Sequence, residues 1–115
     1  MGENTGLKII RLKTNAQNLE MWIAYEEGDE EEAIGHIFMT LENNNRIKFM
    51  DAWVDEAHRR KGIYRKLWET RWEYVNNNYK GYTIYAWCKD SSLPLLLEKG
   101  FTKGEVVTYV EKTIE

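Results

Sequence analysis

The sequence is poor in cysteine and proline: its 115 residues carry one of each, Cys88 and Pro94. A lone thiol excludes an internal disulfide and fits a reducing compartment; a small buried apolar role is expected for it. Long apolar runs are also lacking. Nothing approaches the ~18 consecutive apolar residues of a membrane span, and no apolar segment opens the chain. The expectation is therefore neither signal peptide nor membrane partner, and a cytoplasmic location. An excess of positive charge is missing too. Sixteen Lys and Arg face 19 Asp and Glu, a formal charge of −3, which argues against a nucleic-acid partner. No repeat or linker divides the chain, so a single domain over 1–115 is expected, large enough to bury roughly two-thirds of its unfolded surface.

What is abundant is aromatic: five Trp, seven Tyr and three Phe, which excludes a disordered chain. Alternating stretches predict strands at Leu7–Leu12, Leu19–Tyr25, Ala33–Leu41 and Arg46–Val54. Polar turns separate the last three, at Glu26–Glu32 with Gly28 and at Asn43–Asn45, an antiparallel meander. The acidic turn is read as a solvated hairpin, with steering of a cationic acceptor as the alternative. Tyr64, Leu67, Trp68, Trp72 and Val75 recur at three- and four-residue spacing, predicting a helix from Ile63 to Val75 with a stripe facing a sheet. Asn76–Asn78 and Gly81 should end it. Tyr82–Cys88 reads as a fifth strand. A short helix capped by Asp90, Ser91 or Ser92 runs to Lys99 and stops at Gly100. Glu105–Lys112 reads as the last strand. The order β-β-β-β-α-β-α-β is an α/β fold of about six strands and two helices, with strand four and strand five joined by a parallel crossover.

One stretch organises this pattern, Val54-Asp55-Glu56-Ala57-His58-Arg59-Arg60-Lys61-Gly62-Ile63-Tyr64-Arg65-Lys66-Leu67. A strand ends, a glycine turns the chain, and a helix begins. The first amides of a helix lack intrahelical partners and its dipole is positive there, so the site suits a phosphate or pyrophosphate. Arg59, Arg60, Lys61, Arg65 and Lys66 add positive charge. The plain alternative is a solvated basic helix start.

The same stretch resembles the acyl-CoA motif of the GNAT superfamily of N-acetyltransferases, in which Arg or Gln is followed by two residues, Gly, one residue, and Gly or Ala. Arg59, Gly62 and Ile63 fall in register. Tyr64 stands at the position of the last small residue; its main-chain N–H remains, and a first-turn residue needs no positive φ. Ser92-Leu93-Pro94-Leu95-Leu96-Leu97-Glu98-Lys99-Gly100-Phe101 is similar to the family's second motif, a short helix ending in Gly-Phe. The matching parts cover about Ile34 to Val110. The resemblance implies a mixed, mostly antiparallel sheet and an acetyl-CoA-dependent acyltransferase acting on an amine by direct transfer. It implies acetyl-CoA as co-substrate and no metal. The residues implied to hold it are Val54, Arg59, Arg60, Lys61, Gly62, Ile63, Tyr64 and Arg65, with Val54 meeting the pantetheine arm through its backbone. It also implies an oxyanion-binding N–H on a bulged strand near Val54.

Beyond Tyr64, the sequence departs from the family in three places. Counting back four residues from Gly100, where many members carry a general-acid Tyr, gives Leu96. About six residues join Leu12 to Leu19, where the family has two helices. One strand, rather than two, follows Phe101. These departures imply an open acceptor side, which either suits a protein or other large acceptor or means that no acceptor is bound. Asp51, near the end of strand four, is the candidate base, against the alternative of a solvent-facing carboxylate. Tyr85 is a substitute acid. His58 is a candidate CoA contact and His36 a structural residue. Trp53 and Trp87 either line the acceptor cleft or pack in the core. The other functional classes are a non-catalytic acyl-CoA-binding module and an interaction protein, including a homodimer through an exposed strand edge.

Overall fold

A computed structural model describes residues 6–14, 18–87, 93–103 and 109–115, with the side chains of Asp51, Lys103 and Tyr109 outside that description. The expectations for the first five residues, Cys88, the Asp90–Ser92 cap and the start of the predicted last strand fall on residues that are not described. Four strands come first: β1 (Leu7–Lys13), β2 (Leu19–Glu26), β3 (Gly35–Glu42) and β4 (Arg46–Val54). Helix α1 (Ile63–Asn78), β5 (Thr83–Trp87), helix α2 (Leu93–Glu98), β6 (Thr102–Lys103) and β7 (Tyr109–Thr113) follow.

The strands form one sheet in the order β1-β2-β3-β4-β5-β7-β6. Only the β4–β5 pairing is parallel; the other five are antiparallel. Among the described residues the sheet has seven strands, in keeping with the expected mixed, mostly antiparallel α/β fold of about six strands and two helices, while two strands follow Phe101 instead of the one expected. β6 is only two residues long, too short to display a period-2 pattern. The β3–β4 hairpin turns on Asn44 (φ 64°) and Asn45 (φ 58°), since asparagine tolerates the left-handed conformation that tight hairpins require.

Alternate residues of β2, β3, β5, β7 and of β4 up to Phe49 pack beneath the helices. Trp22, Ala24, Ile37, Met39, Ile47, Phe49, Ile84, Ala86 and Val110 are buried there. Ile63, Leu67, Trp68 and Val75 meet them from α1, and Leu95 and Leu96 from α2. Phe49, Trp68, Trp72 and Phe101 form an aromatic cluster at centroid separations of 5.5–6.4 Å. The apolar stripe of α1 differs from expectation at two points: Tyr64 is exposed, and Arg71 is buried in line with Leu67 and Val75. The helix also continues through the asparagines to Asn78. Asn76 and Asn78 donate side-chain hydrogen bonds to the carbonyls one turn back, of Trp72 (2.9 Å) and Tyr74 (2.8 Å).

No helix among the described residues covers the opposite face of the sheet. Leu12, Met50, Trp53 and Trp87 are exposed there. The segment 14–18 joins β1 to β2, too few residues for a helix pair. Among the described residues no helix is long and apolar enough to cross a membrane.

Candidate active site

Two irregularities of the sheet create the site. Ile37 opposes Ala52 and Phe38 opposes Met50, so Asp51 is the extra residue of a β-bulge in β4. The expected bulge therefore lies three residues before Val54. A bulge bends its strand, and β4 leaves β5 after only three paired positions, Arg46↔Thr83, Ile47↔Ile84 and Lys48↔Tyr85. β5 continues beside β7 instead. The resulting gap is a cavity of about 180 Å³ bordered by Lys48, Phe49, Met50 and Trp87.

Beyond the bulge, β4 runs out at Val54, a single 3-10 turn spans Glu56–His58, and α1 starts after Gly62. Gly62 adopts φ 80°, ψ 8°, left-handed geometry that is least costly for glycine. A Cβ there would meet nothing within 4 Å, so the space above the turn is open. The carbonyl of Gly62 accepts from the amide of Lys66 (3.0 Å), while the first-turn amides of α1 have no intrahelical acceptor. A second cavity of about 500 Å³ lies here. Seven of the eight residues expected to hold the cofactor border it: Val54, Arg59, Arg60, Gly62, Ile63, Tyr64 and Arg65. Lys61 does not; Ala52, Trp53 and His58 do.

The local charges are partly engaged. Arg59 donates through Nε to the Val54 carbonyl at 3.0 Å. Arg65 bonds Glu69 (3.1 Å) and Glu98 (3.3 Å), and Glu98 chiefly holds its pKa above the ordinary value. Lys99 reaches the same Glu69 at 2.7 Å, lowers its pKa, and ties α2 to α1. His58 lies 2.8 Å from Asp55 through Nδ1 and 3.5 Å from Glu26 through Nε2. Neither Arg60 nor Lys61 forms an ion pair among the described residues.

Around the gap, Trp53 (40% exposed) and Trp87 (55% exposed) are surface residues rather than core. His36 stacks between Phe38 (4.6 Å) and Trp53 (5.3 Å) with no hydrogen-bond partner at Nδ1. Burial lowers its pKa from 6.5, against a smaller opposing contribution from its own backbone. The neutral form is therefore favoured on folding. The stability this entails is fully present above about pH 6.5 and is lost as pH falls through the lowered folded value. His36→Phe keeps the stack and removes the titration. The variant should lose less unfolding midpoint than the parent between about pH 7 and pH 5, and equal losses would exclude His36 as a source of acid sensitivity.

Tyr85 directs its hydroxyl to Glu42 at 2.7 Å, toward the closed end of the β4–β5 pair. Leu96 is 3% exposed, a core residue. Asp51 is placed by its backbone at the bulge. The sequence reading missed Arg71, which is 2% exposed. Its Nη1 donates to the carbonyls of Phe38 (2.7 Å) and Met50 (3.4 Å), which flank the bulge. Its guanidinium stacks 3.6 Å from the Phe49 ring centroid. Burial pulls its pKa down to about 9, with Tyr64 opposing. The available signal was its position, four residues after Leu67 and four before Val75, on the helix's buried stripe.

The model of the acetyltransferase (GNAT) family matches residues 3–101. A search of curated proteins found no match. Among solved structures, the chain is similar to the IAA acetyltransferase from Bacillus cereus ATCC 14579, at 16% identity and TM-score 0.65 over 91% of this chain and 96% of that one. The GNAT family acetyltransferase from Staphylococcus aureus Mu50 aligns at 18% identity and TM-score 0.61, over 86% and 70%. The GNAT family N-acetyltransferase YhbS from Escherichia coli, solved in complex with CoA, aligns at 17% identity and TM-score 0.64, over 84% and 59%. The family model spans the meander, the Gly62 turn, α1, β5 and the Gly100-Phe101 end of α2, and the chain belongs to the GNAT acetyltransferase family.

Proposed function

We propose that the protein transfers an acetyl group from acetyl-CoA directly to an amine acceptor. The observation that carries this reading is the succession of two cavities along one strand. Ala52–Val54 border the larger one at the start of α1, and Lys48–Met50 border the gap beside β5.

The residues of the larger cavity fit a pyrophosphate and its arm. Open space over Gly62 allows close approach to the main chain. The first-turn amides of α1 and the Arg60 guanidinium supply donors and charge. Tyr64 contributes its N–H, and its exposed ring forms part of the wall. Val54 offers the pantetheine arm its backbone; Arg59 already uses that carbonyl, which has a second lone pair. His58 and Arg65 border the phosphate end.

Acetyl-CoA brings the acyl group as a reactive thioester, so the chain's work is mainly placement. The bulge interrupts the β3–β4 ladder, and a main-chain N–H released there is the proposed donor to the acyl oxygen. Asp51, the bulge residue, is the proposed base. An acceptor ammonium with pKa of about 10.4 must lose a proton before it attacks. Leu96 has no proton to give, and the Tyr85 hydroxyl is committed to Glu42; water entering beside Trp53 and Trp87 serves the leaving thiolate. The uncovered sheet face leaves room for a large acceptor, including a protein.

Saturating acetyl-CoA, at about 100 times its dissociation constant, should stabilise the protein by ~2.7 kcal/mol. That corresponds to a rise in unfolding midpoint of roughly 10 °C. ATP should give no comparable shift, and thiol release from acetyl-CoA should require an added amine. Absence of both the shift and the thiol release would refute the reading. A shift without release for any amine would favour the binding-module alternative.

A further inference from the structure

We propose that Arg71 is a positioning residue for acyl transfer: from beneath the sheet it ties together the two strands at the bulge and so holds the reacting segment of β4 in place. The catalytic part of this inference rests on the acyltransfer reading; the tethering part does not.

Four observations carry it. Arg71 is 2% exposed, and among the described residues no carboxylate pairs with it. A buried guanidinium is costly and is retained only where other groups compensate it. Part of the compensation comes from the bulge itself, while Nε stays buried without a hydrogen-bond partner among the described residues. Nη1 donates to the carbonyls of Phe38 on β3 and Met50 on β4, the opposed pair adjoining the extra residue Asp51. At a bulge the regular ladder is disrupted, and a side chain from α1 bridges both strands at that point. Finally, the guanidinium stacks on Phe49 (3.6 Å) and lies 5.1 Å from the Trp68 ring centroid. Phe49 and Met50 border the gap. One side chain thus anchors a carbonyl and a ring that shape the gap, without lining either cavity itself.

A purely apolar side chain in the same place would fill the volume and lose the tether. Arg71→Met makes that change with a long flexible side chain, and Arg71→Lys keeps the charge with fewer donors. Two measurements on the full chain separate positioning from bulk stability. The first is amide hydrogen exchange at residues 50–52, read against exchange in the core of β2 and β3. Arg71→Met should speed exchange at the bulge selectively, by about tenfold or more, and Arg71→Lys should do so less. The second is steady-state acetyl transfer. Arg71→Met should lower kcat by about 10- to 100-fold, with KM for acetyl-CoA within about twofold of the parent and partial rescue in Arg71→Lys.

Unchanged exchange at the bulge in a folded Arg71→Met protein would overturn the tether. Equal kcat would overturn its role in transfer. If Arg71→Met does not fold, Arg71→Lys carries both measurements, with intermediate changes expected and unchanged values overturning the proposal. A parent protein that turns over no acetyl-CoA would overturn the acyltransfer reading and the catalytic part together. Exchange at residues 50–52 would still decide whether Arg71 holds the bulge.

Discussion

Gly62→Glu is expected to abolish acetyl-CoA binding at concentrations that saturate the parent, a loss of at least about 100-fold in affinity, or ~2.7 kcal/mol. The new side chain has room, since nothing lies within 4 Å of the Cβ position. The left-handed backbone at φ 80° costs a non-glycine residue about 1–2 kcal/mol. A carboxylate at a helix N-terminus recovers part of that through the dipole and the orphan amides. The fold should therefore survive, with its own anion lodged where the pyrophosphate is proposed to bind. Gly62→Asn separates charge from backbone strain, because asparagine tolerates the same φ and brings no charge. Titration calorimetry on both variants checks the assignment: Asn should stay within about tenfold of the parent. If Gly62→Glu binds acetyl-CoA as the parent does, the phosphate site lies elsewhere.

Leu67→Ala is expected to remove about 3–5 kcal/mol of stability, the range for a fully buried leucine whose site cannot collapse, lowering the unfolding midpoint by roughly 15 °C or more. Leu67 is 0% exposed. Its Cδ1 lies 3.2 Å from where Gly35 would carry a Cβ, so it fills the hollow that the glycine leaves in β3. That Gly35 position is itself confined, because the Trp53 carbonyl lies 3.0 Å from it. Neither neighbour can move in to close the cavity. Leu97, one helix away and 46% exposed, is the matched control, and its alanine variant should lie within about 0.5 kcal/mol of the parent. Comparable losses at the two leucines in thermal melts would show that α1 is not seated on Gly35 as described.

Much of this architecture can be read from local chemistry. The meander follows from alternation and from Asn44 and Asn45, residues suited to positive φ. The proposed cofactor cradle follows from a strand, Gly62 and a helical stripe in succession. What escaped reading was two-dimensional information. A two-residue strand such as β6 exists only because β7 is there to pair with it. The bulge was expected near Val54, and its exact position at Asp51 is only faintly marked in the sequence. Its trace is a slip of phase: Phe49 faces inward, and uninterrupted alternation would turn Asp51 inward and Trp53 with it, yet Trp53 lies exposed on the other face. A carboxylate at an inward position was the available clue. Arg71 was hidden for the converse reason. A charged residue among Glu69, Thr70 and Glu73 reads as solvated surface, and the partners that meet it when buried, the carbonyls of Phe38 and Met50 and the Phe49 ring, come from two other strands.

The five tryptophans fall into two environments. Trp22, Trp68 and Trp72 sit within or against the core, while Trp53 and Trp87 stand exposed on the bulge-side strand ends that border the two cavities. Indole emission depends on the polarity around the ring, so the molecule carries two optical populations. The inner one reports on unfolding. The outer one, accessible to aqueous quenchers, reports on whatever occupies the cleft. Binding and unfolding can thus be followed in the same unlabelled sample, and a ligand that shields the outer pair identifies itself by where it sits.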